Sequence, residues 1–116
     1  MVFDKTVDFT ISGKAYKLCY PIKRAWEMEQ NLSQKSIFAT IAAIGASTPR
    51  MQDLFIMLKY ALLGGQEKMT EEEAEILVYA AIGETPGAIY PACMQALQLS
   101  GLLPGVKKEP AAGDPV

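Results

Sequence analysis

The stretch Val7-Asp8-Phe9-Thr10-Ile11-Ser12-Gly13-Lys14-Ala15-Tyr16-Lys17-Leu18-Cys19-Tyr20-Pro21 decides how the chain is read. Val7, Phe9 and Ile11 alternate with Asp8 and Thr10, and the same period of two returns at Tyr16, Leu18 and Tyr20. That period belongs to strands with one buried face. Ser12-Gly13-Lys14 supplies a turn containing the glycine that a positive φ needs, so residues 7–20 are expected to form a β-hairpin. Two strands alone are marginal in water, and their apolar face must rest on helices. Pro21 changes the grammar. Proline suits the first helical position, and Ile22, Ala25, Trp26 and Leu32 follow at helical spacing, giving a helix to about Asn31. Upstream, Val2 and Phe3 offer a short third strand.

Beyond this point the rhythm is helical. Ser33 is placed to cap a second helix carrying Ile37, Phe38, Ile41, Ala42 and Ile44 and ending at Gly45. Thr48-Pro49 opens a third, with Met51, Leu54, Phe55, Leu58 and Leu62 in sequence, closed by Gly64-Gly65, where a left-handed residue costs little. Thr70-Glu71-Glu72-Glu73 is a capping box, in which the Thr70 hydroxyl and the Glu73 carboxylate each satisfy an amide of the other's backbone. The helix it starts buries Ala74, Leu77, Val78, Ala81 and Ile82 and ends at Gly83. Thr85-Pro86 opens a last helix to about Leu102, with Pro91 read as a bend within one element. The expected fold is α+β, mostly α: an N-terminal β-hairpin packed on a bundle of about five short helices. Residues 1–104 form one globular domain, and residues 105–116, poor in apolar side chains, are expected to be a flexible tail.

Composition limits the chemistry. A chain of 116 residues that is 50% apolar supports one core. Eleven basic against thirteen acidic residues give a net charge of -2, without the basic excess that nucleic-acid binding normally shows. There is no His, so a His-based triad or a His-ligated metal has no residue to use. Cys19 and Cys93 are too few and too far apart for a zinc site or a redox pair, and are expected as reduced small hydrophobes. The start Met1-Val2-Phe3-Asp4-Lys5 lacks the apolar run of an export signal. Residues 85–106 carry no charge, but Pro86, Pro91 and Pro104 argue against membrane insertion.

No residue pattern nominates an active site. The acidic run Glu71, Glu72, Glu73 and Glu75 has the spacing of a solvated helix start and not of a calcium loop. Gly64-Gly65 with Lys68 and Thr70 lacks phosphate-loop spacing. Lys23, Arg24 and Trp26 are too few for a nucleic-acid platform, and Trp26 is expected in the core. No catalytic group, cofactor or metal is expected. What stands out is apolar surface in excess of one stripe per helix: the second helix is uncharged from Ser36 to Pro49 and the last is uncharged all round. Such helices lie centrally or meet a partner. The expected partner-binding residues are Ile37, Ile41 and Ile44 of the second helix and Ile89, Met94, Leu97, Leu99, Leu102 and Leu103 of the last, with Met57 and Met94 as adaptable packing groups.

The order of Phe9-Thr10-Ile11-Ser12-Gly13-Lys14-Ala15-Tyr16-Lys17-Leu18, then Trp26-Glu27-Met28-Glu29, Met51-Gln52-Asp53-Leu54, Tyr60-Ala61-Leu62-Leu63-Gly64-Gly65 and Met69-Thr70-Glu71-Glu72-Glu73-Ala74 resembles the tail assembly chaperones of long-tailed bacteriophages. The likeness is to the small tail-gene family that phages share with gene transfer agents, and it runs over roughly residues 7–103. It implies a non-enzymatic protein of the host bacterial cytoplasm, absent from the mature virion. Such a protein binds the tape measure protein and keeps it soluble while the tail tube polymerises. The resemblance also implies a longer frameshifted isoform that recruits the major tail tube protein, and Lys107-Lys108-Glu109 fits a slippery adenine run. Self-association through the client-binding surface would make the chain a homo-oligomer. Two alternatives belong to other classes: a structural tail tube protein, and a small helical adaptor or regulatory domain.

Overall fold

The computed structural model describes residues 6–46 and 50–101. The expected Val2-Phe3 strand, the Thr48-Pro49 opening and the tail over residues 105–116 lie outside them. Among the described residues the chain is a two-stranded antiparallel hairpin followed by five helices, an α+β fold that is mostly α.

Strands β1 (Val7–Ile11) and β2 (Lys14–Leu18) pair with Ile11 opposite Lys14 and Val7 opposite Leu18. This leaves Ser12 and Gly13 as a two-residue turn, at φ of 52° and 80°. Two positive φ angles in succession match the right-handed twist of a hairpin. Ser12 is the unusual member, and its position is held from outside. Its N–H and hydroxyl both donate to the Glu84 carboxylate, at 2.9 and 2.7 Å. Phe9, Ile11 and Leu18 face inward and are buried, while Asp8 and Lys17 form an ion pair of 2.9 Å on the outer face.

The helices are α1 (Ile22–Asn31), α2 (Ile37–Ala46), α3 (Met51–Gly65), α4 (Glu71–Glu84) and α5 (Pro86–Ser100). Pro21 is the N-cap of α1 and precedes its first helical residue. The cap of α2 is Ser36, whose hydroxyl accepts from the Ala39 N–H at 3.1 Å. Ser33, expected in that role, instead donates its N–H and hydroxyl to buried Asp53 on α3, at 2.9 and 2.8 Å. Both bonds of the Thr70–Glu73 capping box are formed. Helix α5 continues through Pro91 and ends on Gly101 in the left-handed region.

The central element is α3, which packs against β2, α1, α4 and α5. Its residues from Met57 to Leu63 are all buried, including Lys59. Burial by itself pushes the Lys59 ammonium towards a lower pKa, but bonds to Glu75 at 2.9 Å and Glu71 at 3.2 Å outweigh it and hold the group above its ordinary value. A largely buried lysine thus ties α3 to the N-terminal part of α4. Tyr20, also buried, donates its hydroxyl to the Met57 carbonyl at 2.6 Å.

Gly64 and Gly65 were expected to end α3 by turning left-handed. Both instead lie within the helix, and neither has a positive φ. Their reason is contact. A Cβ on Gly64 would stand 2.2 Å from the Cys19 carbonyl oxygen, and one on Gly65 would stand 2.0 Å from that of Lys17. Strand and helix touch backbone to backbone there, and the Cys19 N–H donates to the Ala61 carbonyl at 3.1 Å. Gly83 also lies inside its helix, with open space where its Cβ would be.

Two outcomes follow. Gly64→Ala and Gly65→Ala should each cost about 2 kcal/mol or more in urea unfolding, since the obstacle is backbone and alanine's better helix propensity cannot offset the clash. Gly83→Ala should gain about 0.5 kcal/mol in the same assay. The Ser12 hydroxyl and N–H hold the Glu84 carboxyl below its ordinary value of 4.5. Its folded pKa lies below the unfolded one, so the contact adds stability above the unfolded value, lost as pH falls through the folded value. The stability difference between the protein and its Glu84→Gln variant should shrink from about pH 6 to about pH 3; a constant difference would show that the contact does not form.

Candidate partner-binding surface

The expected contact residues separate by burial. Ile89 and Leu97 are fully buried on α5 and belong to the core, as does Met57 on α3. A side chain with no exposed area presents nothing to a partner, so the surface reading is corrected at these positions. The physical reason is that α5 lies against α3, α4 and both strands, which use its inner face completely. Ile37 and Ile44 are also buried, and Ile41 and Met94 are half-buried against the core. Leu99 is the expected contact residue that stands out, at 42% exposed. Leu102 and Leu103 lie outside the described residues.

Other apolar side chains face solvent. Ile22 and Trp26 are 77% and 65% exposed on α1. Four residues apart, they lie on one face of the helix. The core took the adjacent stripe, Ala25, Met28 and Leu32, which has equally good helical spacing. Trp26 as a core residue is therefore corrected. Sequence held the signal in Met28, which together with Ala25 and Leu32 makes a complete stripe without the tryptophan. Phe38 on α2 is 51% exposed because that helix turns Ile37, Thr40 and Ile44 inward. Met51 at the start of α3 is exposed too. On α4, Ile76 and Tyr79 form a second outward pair, with the Tyr79 ring tilted against Phe55 at 5.2 Å between centroids.

Helix α2 is distinctive among these elements. It has no charged side chain, its outer face carries Phe38, Ala39, Ala42 and Ala43, and its inner face encloses a Thr40 hydroxyl with no hydrogen-bond partner among the described residues. An unpaired buried hydroxyl costs on the order of 1–3 kcal/mol, so α2 is held less firmly than its apolar composition suggests. Its first turn is fastened by Glu29, whose carboxylate accepts from the Ile37 N–H at 3.0 Å.

The thiols take no part in this surface. Cys19 is half-buried and Cys93 buried, and the two are not joined in a disulfide. Burial pushes the Cys93 thiol up to about 12, so it stays protonated and unreactive near neutral pH. Among the described residues no group of three or more Cys, Asp or Glu is gathered as a metal would need, and no helix is long and apolar enough to cross a membrane. No family model, curated protein or solved structure matches the chain.

Core and surface roles can be separated by charge insertion. Leu97→Asp should unfold the protein or cost at least about 4 kcal/mol, because it buries an unpaired carboxylate. Phe38→Asp should stay within about 1 kcal/mol of the unmodified chain. Circular dichroism melts of the two variants check this, and equal losses would place Phe38 in the core.

Proposed function

We propose that this chain is a phage tail assembly chaperone, a non-catalytic protein that binds the tape measure protein and keeps it soluble while the tail tube polymerises. The observation that carries the reading is the set of large apolar side chains left outside a core that is already closed. Ile22 and Trp26 on α1 and Phe38 on an uncharged α2 are exposed groups that we assign to the client. A helical client with apolar stripes is covered by such helix faces through helix-against-helix packing. The order of sequence motifs from Phe9 to Ala74 supports the same reading. In this account the chain acts in the host bacterial cytoplasm and is left out of the virion. Its longer isoform recruits the major tail tube protein, and the same apolar side chains support self-association. A tube subunit needs extended β-structure to build a ring, and the described residues have a single two-stranded sheet.

Co-expression tests the reading. The tape measure protein encoded beside this gene should become soluble and elute in a complex with this chain. Trp26→Asp and Phe38→Asp together should return most of it to the pellet while the chaperone itself stays folded. A tape measure protein equally insoluble with and without the chain, with no complex eluting, overturns it.

A further inference from the structure

The outer edge of β2 is covered along only part of its length. The N–H of Cys19 donates to the Ala61 carbonyl, and the Lys17 N–H donates to the Gln66 side-chain oxygen at 2.8 Å. The Gln66 amide nitrogen in turn donates to the Lys17 carbonyl at 3.1 Å. One glutamine side chain thus makes both bonds that a neighbouring strand would make at Lys17. These contacts show that the odd-numbered residues of β2 turn their main-chain groups away from β1. Ala15 is the next in that series, and neither its N–H nor its carbonyl has a partner among the described residues. Beside it lies a groove of about 630 Å³ between β2 and α4, with Tyr16, Met69, Ile76 and Leu77 as its apolar wall.

We propose that this groove takes up an extended segment of a partner polypeptide, which pairs with Ala15 as a short third strand, is apolar on either side of the paired residue and carries carboxylates at its ends. Free edge donors and acceptors select an extended backbone over a helix, whose own amides are already used. Pairing at Ala15 directs the two flanking side chains of the incoming strand to the face that carries Tyr16, onto the apolar wall. The charge requirement comes from the rim. Lys14 and Lys68 have no ion-pair partner among the described residues, and Lys14 rests over the Tyr16 ring at 5.4 Å. Of the two rim carboxylates, Glu73 is held by the Thr70 N–H at the positive end of α4, which leaves Glu67 against two lysines. The covered half of the edge limits the segment to a few residues. This proposal is independent of the chaperone reading, because it concerns a different surface from α1 and α2.

The test is a nitrogen-15 NMR titration of the whole chain with the end-blocked peptide Glu-Val-Thr-Val-Glu. Shifts should appear at Ala15, Tyr16 and Ile76, with hydrogen exchange at the Ala15 N–H slowed at least about tenfold at saturation. Methylating the nitrogen of the central Thr should abolish binding, and Ile76→Asp, at an exposed site, should do so without unfolding the chain. Lys14→Glu with Lys68→Glu should weaken binding several-fold. Absence of shifts at millimolar peptide, equal binding of the N-methylated peptide, or shifts confined to other residues overturns the proposal.

Discussion

The backbone contact between β2 and the last turn of α3 is the constraint on which the other contacts depend. With no side chain between them, the strand lies close enough for Cys19 to donate to Ala61, and this sets the hairpin on the central helix. Phe9, Ile11 and Leu18 then enter the core, and the Ser12 turn comes within reach of Glu84. A hairpin of two five-residue strands has little stability alone. Here it is fastened at its base by two glycines and at its tip by one carboxylate.

Enclosing α3 has a consequence for charge. A helix buried on most sides cannot leave ionic groups unpaired, and its two buried ionic side chains are answered from neighbouring segments. Asp53 holds the connection between α1 and α2 through Ser33, and Lys59 holds α4 through Glu71 and Glu75. These bonds specify which segment lies against which end of α3, while the apolar packing around Leu58, Ala61 and Leu62 supplies most of the stabilisation. The same arrangement determines what faces outward. Once α5 is used to cover α3, α4 and the hairpin, most of the apolar excess that remains belongs to α1, α2 and the outer side of α4, with Met51 on α3 and Leu99 on α5 beside it.

Much of this was legible in local patterns. The alternation from Val7 to Tyr20, the capping box at Thr70 and the Thr85-Pro86 start depend on a few neighbouring residues, and each forms the expected element. Assignments that depended on a distant partner were not legible. Ser33 and Ser36 are equivalent as cap candidates until Asp53 claims one of them. Trp26 and Met28 compete for one inward stripe, and the volume available beside α3 chose Ala25, Met28 and Leu32. The uncharged composition of α5 read equally as core or as interface until its neighbours were known.

The sequence by itself determined the class of fold, the order of elements and most of their boundaries, because strand alternation, helix caps and turn residues act over a few positions. Only the tertiary structure decided which helix is central, why Gly64 and Gly65 are glycines, and which apolar side chains remain in solvent. Those outcomes depend on how segments far apart in the chain divide a limited interior, and the space left at one residue is set by the backbone or side chain of another.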